Sequence, residues 1–339
     1  MKLASFCMMG FAALVSLAGS GCQGLVAGGA QPVPEIGAPV PGIASYVVVD
    51  IHDRKVVLAH AADQRRSVAS LTKIATGVVT LDSIAALHGR LDEALMVPNS
   101  VVALGPSALG LQPGDQMSVR DALYCALMAS DNAAAEALAV HVGSKIVTMP
   151  NFQGQDPRTA FVGQMNALAA KLGMGNTKFT NPHGLELGAA GYSTAADMAR
   201  LAMNAINRGD FNFFVSQKER RVSYRSGGAA KSFIVKNTNE LLGISRIDGV
   251  KTGTTRMAGP CLIVTAPRPA TVVPQADGST LVVPHRLVVV ELAAADRFNQ
   301  ARNLLAQGWA AYDAWHAAGR TVSSAGELLT EPQPAAPAR

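Results

Sequence analysis

The sequence predicts a single domain of the α/β (α+β) class, and three observations carry that prediction. Runs rich in Val and Ile stand near both ends of the chain, while helical patterns fill the middle. The composition is that of a folded protein, 49% hydrophobic, 16% charged and 5% aromatic over 339 residues. No internal repeat and no second composition regime divides the chain. Strands at both ends with helices between them read as one sheet assembled from both termini.

Residues 1–30 are set apart from the fold. Lys2 supplies a short positive segment, 6–17 is an apolar run too short to span a membrane comfortably, and Ala18, Gly19, Ser20 and Gly21 follow. That is the pattern of an export signal, which places the protein in the periplasm or cell envelope. Cys22 stands where a lipoprotein signal puts its lipidated cysteine, but Gly19 fills the position where such signals usually carry leucine. Membrane anchoring through lipidated Cys22 and ordinary cleavage near Ala30 both stay open. A Pro/Gly-rich linker, 31–42, leads into a catalytic-sized domain over 43–320.

Within that domain 43–51 (IASYVVVDI) reads as a strand, Asp53-Arg54-Lys55 as a turn and 56–60 as the hairpin partner. A helix carries Ser70 and Lys73 onward to about residue 86. Ser118, with Asp121 three residues later, reads as the cap of a helix whose apolar stripe runs through Met128. Ser130-Asp131-Asn132 interrupts that run before an Ala-rich helix over 133–141. Residues 158–172, closed by Gly173, and 194–206 are two more helices. Strand character returns at 232–235, 246–254, 261–266 and 287–292, and a last helix spans 297–318. The Pro/Ala/Ser-rich tail, 321–339, is expected to be disordered.

Charge and cysteine usage exclude several function classes. A net charge of +5 without a block of consecutive Lys/Arg gives no footprint for nucleic acid. Of the four cysteines, Cys125 and Cys261 alone fall inside the expected fold, each in an apolar run. Export permits a bridge between them, whereas isolated cysteines in apolar elements are more often buried thiols, and the sequence leaves both open. No Cys/His spacing points to a metal, and no cofactor motif is present.

Three short strings carry the chemistry: Ser70-Leu-Thr-Lys73, Ser130-Asp-Asn132 and Lys251-Thr-Gly253. A serine hydroxyl is a poor nucleophile unless a base takes its proton. Lys73 lies one helical turn after Ser70 on the same face, and its neutral amine can serve, with Lys251 as the nearby cation that lowers its pKa. A helix start also offers the Ser70 N–H as half of an oxyanion hole. Ser130, between two helices, can relay a proton to a leaving amine, and the Asn132 amide suits a peptide side amide. Gly253 within a strand marks close approach by another backbone, as when a peptide docks along an edge. Lys251 and Thr252 then face a carboxylate, and the Thr254 N–H completes the oxyanion hole. Each string alone also fits a bland reading, as a helix, a capping turn or an edge strand.

The similarity extends through Ala69-Ser-Leu-Thr-Lys73, Leu111-Gln-Pro-Gly-Asp115, Thr180-Asn-Pro-His-Gly-Leu185, Asn237-Thr-Asn-Glu-Leu-Leu242 and Asp248-Gly-Val-Lys-Thr-Gly253. Together these resemble the serine-type D-alanyl-D-alanine carboxypeptidases, the low-molecular-mass penicillin-binding proteins, over about residues 40 to 318. The resemblance implies a penicillin-binding-protein/β-lactamase-like fold: a five-stranded antiparallel sheet flanked by helices, with an inserted helical subdomain. It implies peptidoglycan pentapeptide as substrate and β-lactams as covalent inhibitors. It implies Ser70 as acylated nucleophile, Lys73 as base, Ser130 as proton relay, and Lys251, Thr252 and Thr254 as holders of carboxylate and oxyanion. Arg297, in Asp296-Arg-Phe-Asn-Gln-Ala-Arg, resembles the family arginine that helps bind the terminal carboxylate. Many relatives carry a further β-rich domain and a C-terminal anchor; only about twenty residues follow the last helix here, so attachment is expected at the N-terminus. His183, in the Asn-Pro-His-Gly loop, is expected to be structural.

Three other functions use the same strings. A serine β-lactamase commonly adds a deacylating glutamate as Glu-x-x-Leu-Asn, and no such string lies between Asn132 and Lys251; Glu186 is followed by Leu-Gly-Ala-Ala. A non-catalytic wall-binding protein is disfavoured because every chemically required residue is present. A DD-endopeptidase cutting crosslinks is not separable by sequence.

Overall fold

A computed structural model describes residues 31–330 apart from Ala276; the leader and the lipidation position Cys22 lie outside the described residues. The unbroken apolar run of β1 (Ile43–Asp50) makes it an inner strand, buried on both faces. Its neighbours are β2 (Val56–His60) and β9 (Thr280–Ala294), followed by β8 (Gly259–Pro274) and β7 (Gly249–Thr255), giving the order β2-β1-β9-β8-β7. Every pairing in this sheet is antiparallel, as expected. Alternation along the strands sends Tyr46, Val48, Leu262 and Val289 to one face, where Leu304, Leu305, Trp309 and Tyr312 of the last helix, α7 (Arg297–Ala317), cover them. Val47, Val49, Ile263, Val288 and Val290 point the other way, into a larger core shared with the inserted helices.

Those helices run from α1 (Lys73–Ala86), which is buried almost all round, through α2 (Val119–Leu127), α3 (Asn132–Ile146), α4 (Pro157–Lys171), α5 (Ala195–Ile206) and α6 (Gly209–Val215). Side chains of Ser118, Asp131, Asp156 and Thr194 each accept an N–H three residues on, so four starts are fixed by capping oxygens written into the sequence. Pro157 at the first position of α4 costs no hydrogen bond there.

Several elements depart from the sequence reading. The helix expected from Ser70 opens as a 3₁₀ turn, Ala69–Thr72, and becomes α-helical at Lys73. The strand expected from residue 246 begins at Gly249, because Ser245 and Arg246 take positive φ in a turn. The strands expected at 261–266 and 287–292 are the buried middles of β8 and β9; beyond them Thr, Pro, Arg and exposed Val break the apolar pattern while the ladder continues. A second sheet, β3 (Ala94–Met96), β4 (Gln116–Ser118), β5 (Glu219–Ser226) and β6 (Ala229–Lys236), escaped the reading except for 232–235. Its strands are short or heavily charged, which hides the period of two. Cys125 and Cys261 are buried free thiols.

Both flanking segments are docked where the sequence showed no packing pattern. Ile36 exchanges backbone hydrogen bonds of 2.9 and 3.0 Å with Ala59, extending the β2 edge, and Glu35 accepts the Ala61 N–H at 2.7 Å. The tail expected to be disordered from Thr321 instead returns to the sheet as far as Thr330. Glu327 pairs with Lys55, Leu328 bridges Lys55, and Leu329 is buried in the main core. Composition misled there because a buried leucine, an ion pair and a few backbone hydrogen bonds, among them Leu329 N–H to the Arg54 carbonyl at 2.9 Å, hold a short strap. Residues 331–339 lie outside the described residues. Leu329→Ala should lower stability by about 2–5 kcal/mol, the usual cost of a vacated core leucine, read as a shift of the urea midpoint. An unmoved midpoint would mean that the strap adds nothing.

Candidate active site

Ser70 sits in the middle of the 3₁₀ turn, and Lys73 is the first residue of α1, fully buried at its base. The Lys73 Nζ donates to Ser70 Oγ at 2.9 Å, Asn132 Oδ1 at 2.7 Å and the His183 carbonyl at 2.8 Å. Burial lowers its pKa to about 7, opposed by the Asp131 carboxylate. The sequence reading gave that task to a neighbouring cation. The cationic repulsion acts instead on Lys251, whose pKa is pushed well below its ordinary value by burial first, then by Lys73 and Arg297.

The turn between α2 and α3 presents Ser130 in the left-handed region, with φ of 62°. Asp131 holds that turn from both sides. Its Oδ1 caps α3 through the Ala134 N–H at 2.8 Å, and its Oδ2 accepts Ser107 Oγ at 2.6 Å and Leu109 N–H at 3.2 Å. Asn132 therefore enters α3 with its amide oxygen on Lys73. Among the described residues, no hydrogen bond engages the Ser130 hydroxyl.

Strand β7 forms the facing wall. Lys251 is buried and donates to the Thr252 carbonyl at 3.0 Å. Thr252 Oγ1 lies 2.6 Å from Thr238 Oγ1, and Thr238 in turn donates its N–H to Met128 at 3.0 Å, just before Ser130. A Cβ on Gly253 would stand 3.0 Å from the Ser70 nitrogen and 3.1 Å from the Val68 oxygen. The backbone that needs this glycine is thus the nucleophile turn itself, where the sequence reading assigned the close approach to a docking peptide. Arg297, the first residue of α7, reaches over to donate to Thr254 Oγ1 at 2.8 Å and the Gly253 carbonyl at 3.2 Å. As an edge strand, β7 leaves alternate amides without a ladder partner.

All nine residues singled out in the sequence therefore gather at one place, where the 3₁₀ turn, the α2–α3 turn, β7 and the start of α7 converge. Others were missed. In the Asn181–Leu185 loop, Asn181 Oδ1 accepts the N–H groups of His183 and Gly184 at 3.2 and 2.6 Å, and its amide donates to Leu185 at 2.8 Å. This fixes the His183 carbonyl for Lys73. The His183 ring is buried; its pKa is pushed down to about 3 by burial, then by Lys73 and Arg158. It stays neutral, with Nδ1 accepting the Leu185 N–H at 3.1 Å. Glu186 accepts from Ser67 Oγ and, at 2.6 Å, from Thr255 Oγ1, tying the nucleophile turn to the end of β7. Asx turns are legible in a sequence, but the carbonyl they aim is not.

The chain is similar to known peptidases in sequence and in fold. The family model described as D-alanyl-D-alanine carboxypeptidase (Peptidase S11) matches residues 37–274. The D-alanyl-D-alanine endopeptidase of Pseudomonas aeruginosa is 34% identical over 241 residues, 69% of this chain and 71% of that protein. The carboxypeptidase DacC of Escherichia coli is 32% identical over 283 residues, covering 80% of this chain and 62% of its own length. Among solved structures, the Streptomyces K15 DD-transpeptidase superposes with a TM-score of 0.68 at 29% identity, over 81% of this chain and all of that one. Penicillin binding protein 6B of Escherichia coli gives 0.62 at 30%, over 83% and 82% of the two chains.

Gly184 offers a direct test of how the nucleophile turn is seated. Its φ is +85°, and a Cβ there would fall 1.9 Å from the Ala69 carbonyl oxygen. Gly184→Ala should cost more than about 2 kcal/mol in urea denaturation, because backbone must move as well as a disfavoured φ be held. Gly188→Ala, at φ +75° with open space around it, should cost only about 1 kcal/mol. Equal losses would show that φ alone matters and that the turn is not held by this contact.

Proposed function

The chain belongs to the D-alanyl-D-alanine carboxypeptidase family of peptidases, and on that premise we propose that it removes the terminal D-alanine of peptidoglycan stem peptides through an acyl-enzyme on Ser70. The observation that carries the reading is the 2.9 Å contact between Ser70 Oγ and a buried Lys73 whose pKa lies at about 7. About half of such lysines are neutral near pH 7, which supplies a base without a histidine.

In this mechanism Lys73 takes the Ser70 proton as Oγ attacks the carbonyl carbon of the penultimate D-alanine. The oxyanion that forms is met by the Ser70 and Thr254 N–H groups. Ser130 passes a proton to the departing amine, releasing D-alanine and leaving an ester on Ser70. Water then hydrolyses the ester, returning the serine. Asn132 orients the peptide, while Lys251, Thr252 and Arg297 hold the terminal carboxylate; Gly253 lets β7 close on the nucleophile turn. No metal or cofactor enters any step. β-Lactams are covalent inhibitors in this reading because their strained amide acylates the same oxygen. Export through residues 1–30, and anchoring if Cys22 is lipidated, belong to the same proposal.

A second reading is favoured by the names of relatives: the endopeptidases of Pseudomonas aeruginosa and Escherichia coli are 34% and 32% identical to this chain. Cleavage of crosslinked dimers against soluble pentapeptides separates the two.

The decisive test is labelling with a reporter penicillin. Wild type should form a slowly released adduct and Ser70→Ala none; a stable adduct on the variant would place the nucleophile elsewhere, and rapid release by wild type would indicate a β-lactamase. The pH profile tests the base separately. The neutral amine is required, so acylation should be about half-maximal near pH 7, approach its plateau about one unit above, and fall about tenfold per pH unit well below it. A flat profile between pH 5 and 8, tested at roughly unit steps, would remove Lys73 from that role.

A further inference from the structure

The β5–β6 hairpin carries charge that the acyl-transfer site does not use. Residues 218–236 hold six cations, Lys218, Arg220, Arg221, Arg225, Lys231 and Lys236, against the one acid Glu219. That excess equals the +5 of the entire chain, so the rest of the protein is balanced. Among the described residues, none of the six enters a salt bridge; the ion pairs all lie elsewhere. Arg220 lies over the Tyr124 ring at 5.5 Å and Arg221 donates to Ser232 Oγ at 3.2 Å, contacts that position two heads without neutralising them.

Alternation sorts these residues. Val222 and Val235 point inward and are buried, and Lys231, paired with Tyr224, shares that side; Glu219, Arg221, Ser223 and Arg225 share the outward face with Ala230, Ser232, Ile234 and Lys236. Gln116 continues that face onto β4 opposite Arg225. An open trough of about 510 Å³ lies beside the turn end of the hairpin, lined by Ser223, Ala230 and Ser232 and by the larger Met117, Tyr224, Arg225 and Lys231. Such a shape suits an extended chain better than a compact ligand. At the opposite end of the hairpin β6 runs on to Thr238, which bonds Thr252 in the candidate site. An eight-residue strand reaches roughly 26 Å from that point.

We infer that this outward face docks the carboxylate-bearing peptidoglycan strand from which the scissile stem projects. The inference rests on the substrate reading above. A polymer in which each uncleaved stem ends in a carboxylate is a polyanion, and the outward face presents Arg221, Arg225 and Lys236, none of them in a salt bridge among the described residues, within one strand's length of Thr238. The face supplies affinity for the polymer and touches no reacting atom.

The test uses the full chain with Arg221→Gln, Arg225→Gln and Lys236→Gln combined, replacements of similar length on exposed positions of the outward face, with a melting curve to show that the fold persists. Binding to purified sacculi is measured by sedimentation at low and high salt, in wild type, in Ser70→Ala and in the triple variant. Wild type and Ser70→Ala should bind alike. The triple variant should bind on the order of tenfold more weakly at low salt, and salt should weaken wild type to the same level. Its kcat/KM on a soluble D-Ala-D-Ala peptide should stay within about twofold of wild type, while its rate on sacculi falls. Sacculi whose carboxylates have been amidated should bind wild type as poorly as the triple variant. Equal binding by the triple variant, indifference to amidation, or an equal loss on the soluble peptide would each overturn the docking face. Equal, salt-sensitive capture of duplex DNA would overturn the stated occupant. A wild type that binds sacculi in this charge-dependent way but cleaves no soluble peptide would overturn the acyl-transfer reading and leave the docking face standing.

Discussion

The site depends on one amine kept out of water. Lys73 is fully buried, yet its Nζ has three acceptors drawn from three separate parts of the chain: the nucleophile turn, the start of α3 and the Asn181–Leu185 loop. An isolated buried ammonium is expensive, and the usual relief is a shift toward the neutral form. Here the acceptors limit the penalty without a carboxylate in direct contact. Position in the first turn of α1, beside the positive end of the helix dipole, works in the same direction as burial. The consequence is structural as well as chemical. Anything that displaces α3 or the loop disconnects an acceptor, so the helical region is organised around the lysine that the chemistry needs.

The serine is placed by a different device. The turn that carries it is pressed between two glycines: a methyl group on Gly184 would collide with the Ala69 carbonyl, and one on Gly253 would crowd the Ser70 nitrogen at 3.0 Å. Glu186 joins the two sides by holding Ser67 and Thr255. Ala69 takes a positive φ within this clamp, a conformation that an alanine adopts only when its surroundings dictate it. Position is thereby set by main chain, which leaves the Ser70 side chain free to meet Lys73.

How much of this was legible depends on range. The motif residues were readable because helical spacing fixes Ser70 against Lys73, and capping chemistry fixes Ser118 and the Asp131 turn. The five-stranded sheet was readable in its buried middles, where Val and Ile run together, and lost where β8 and β9 leave the core. The small sheet was hidden because β5 carries Arg at three of its eight positions. The cause of the Lys73 shift was misassigned because burial is a property of the assembled core, and sequence offered only another lysine to blame. The His183 carbonyl and the Glu186 clamp are contacts across more than a hundred residues, for which no local pattern exists.

The pairing of β1 with β9 sets the order in which the molecule can come together. Val47 lies opposite Val290, so the central ladder joins segments from the two ends of the domain, with the helical insertion wholly between them. Closing so long a loop is slow compared with local helix formation. A chain emerging from its N-terminal end can assemble α1 through α5, with Lys73 and its acceptors, while β1 still lacks its β9 partner. The β7 wall and Arg297 arrive only with the last third. During that interval β1, paired only with β2, keeps its other edge open to aggregation until β9 is delivered.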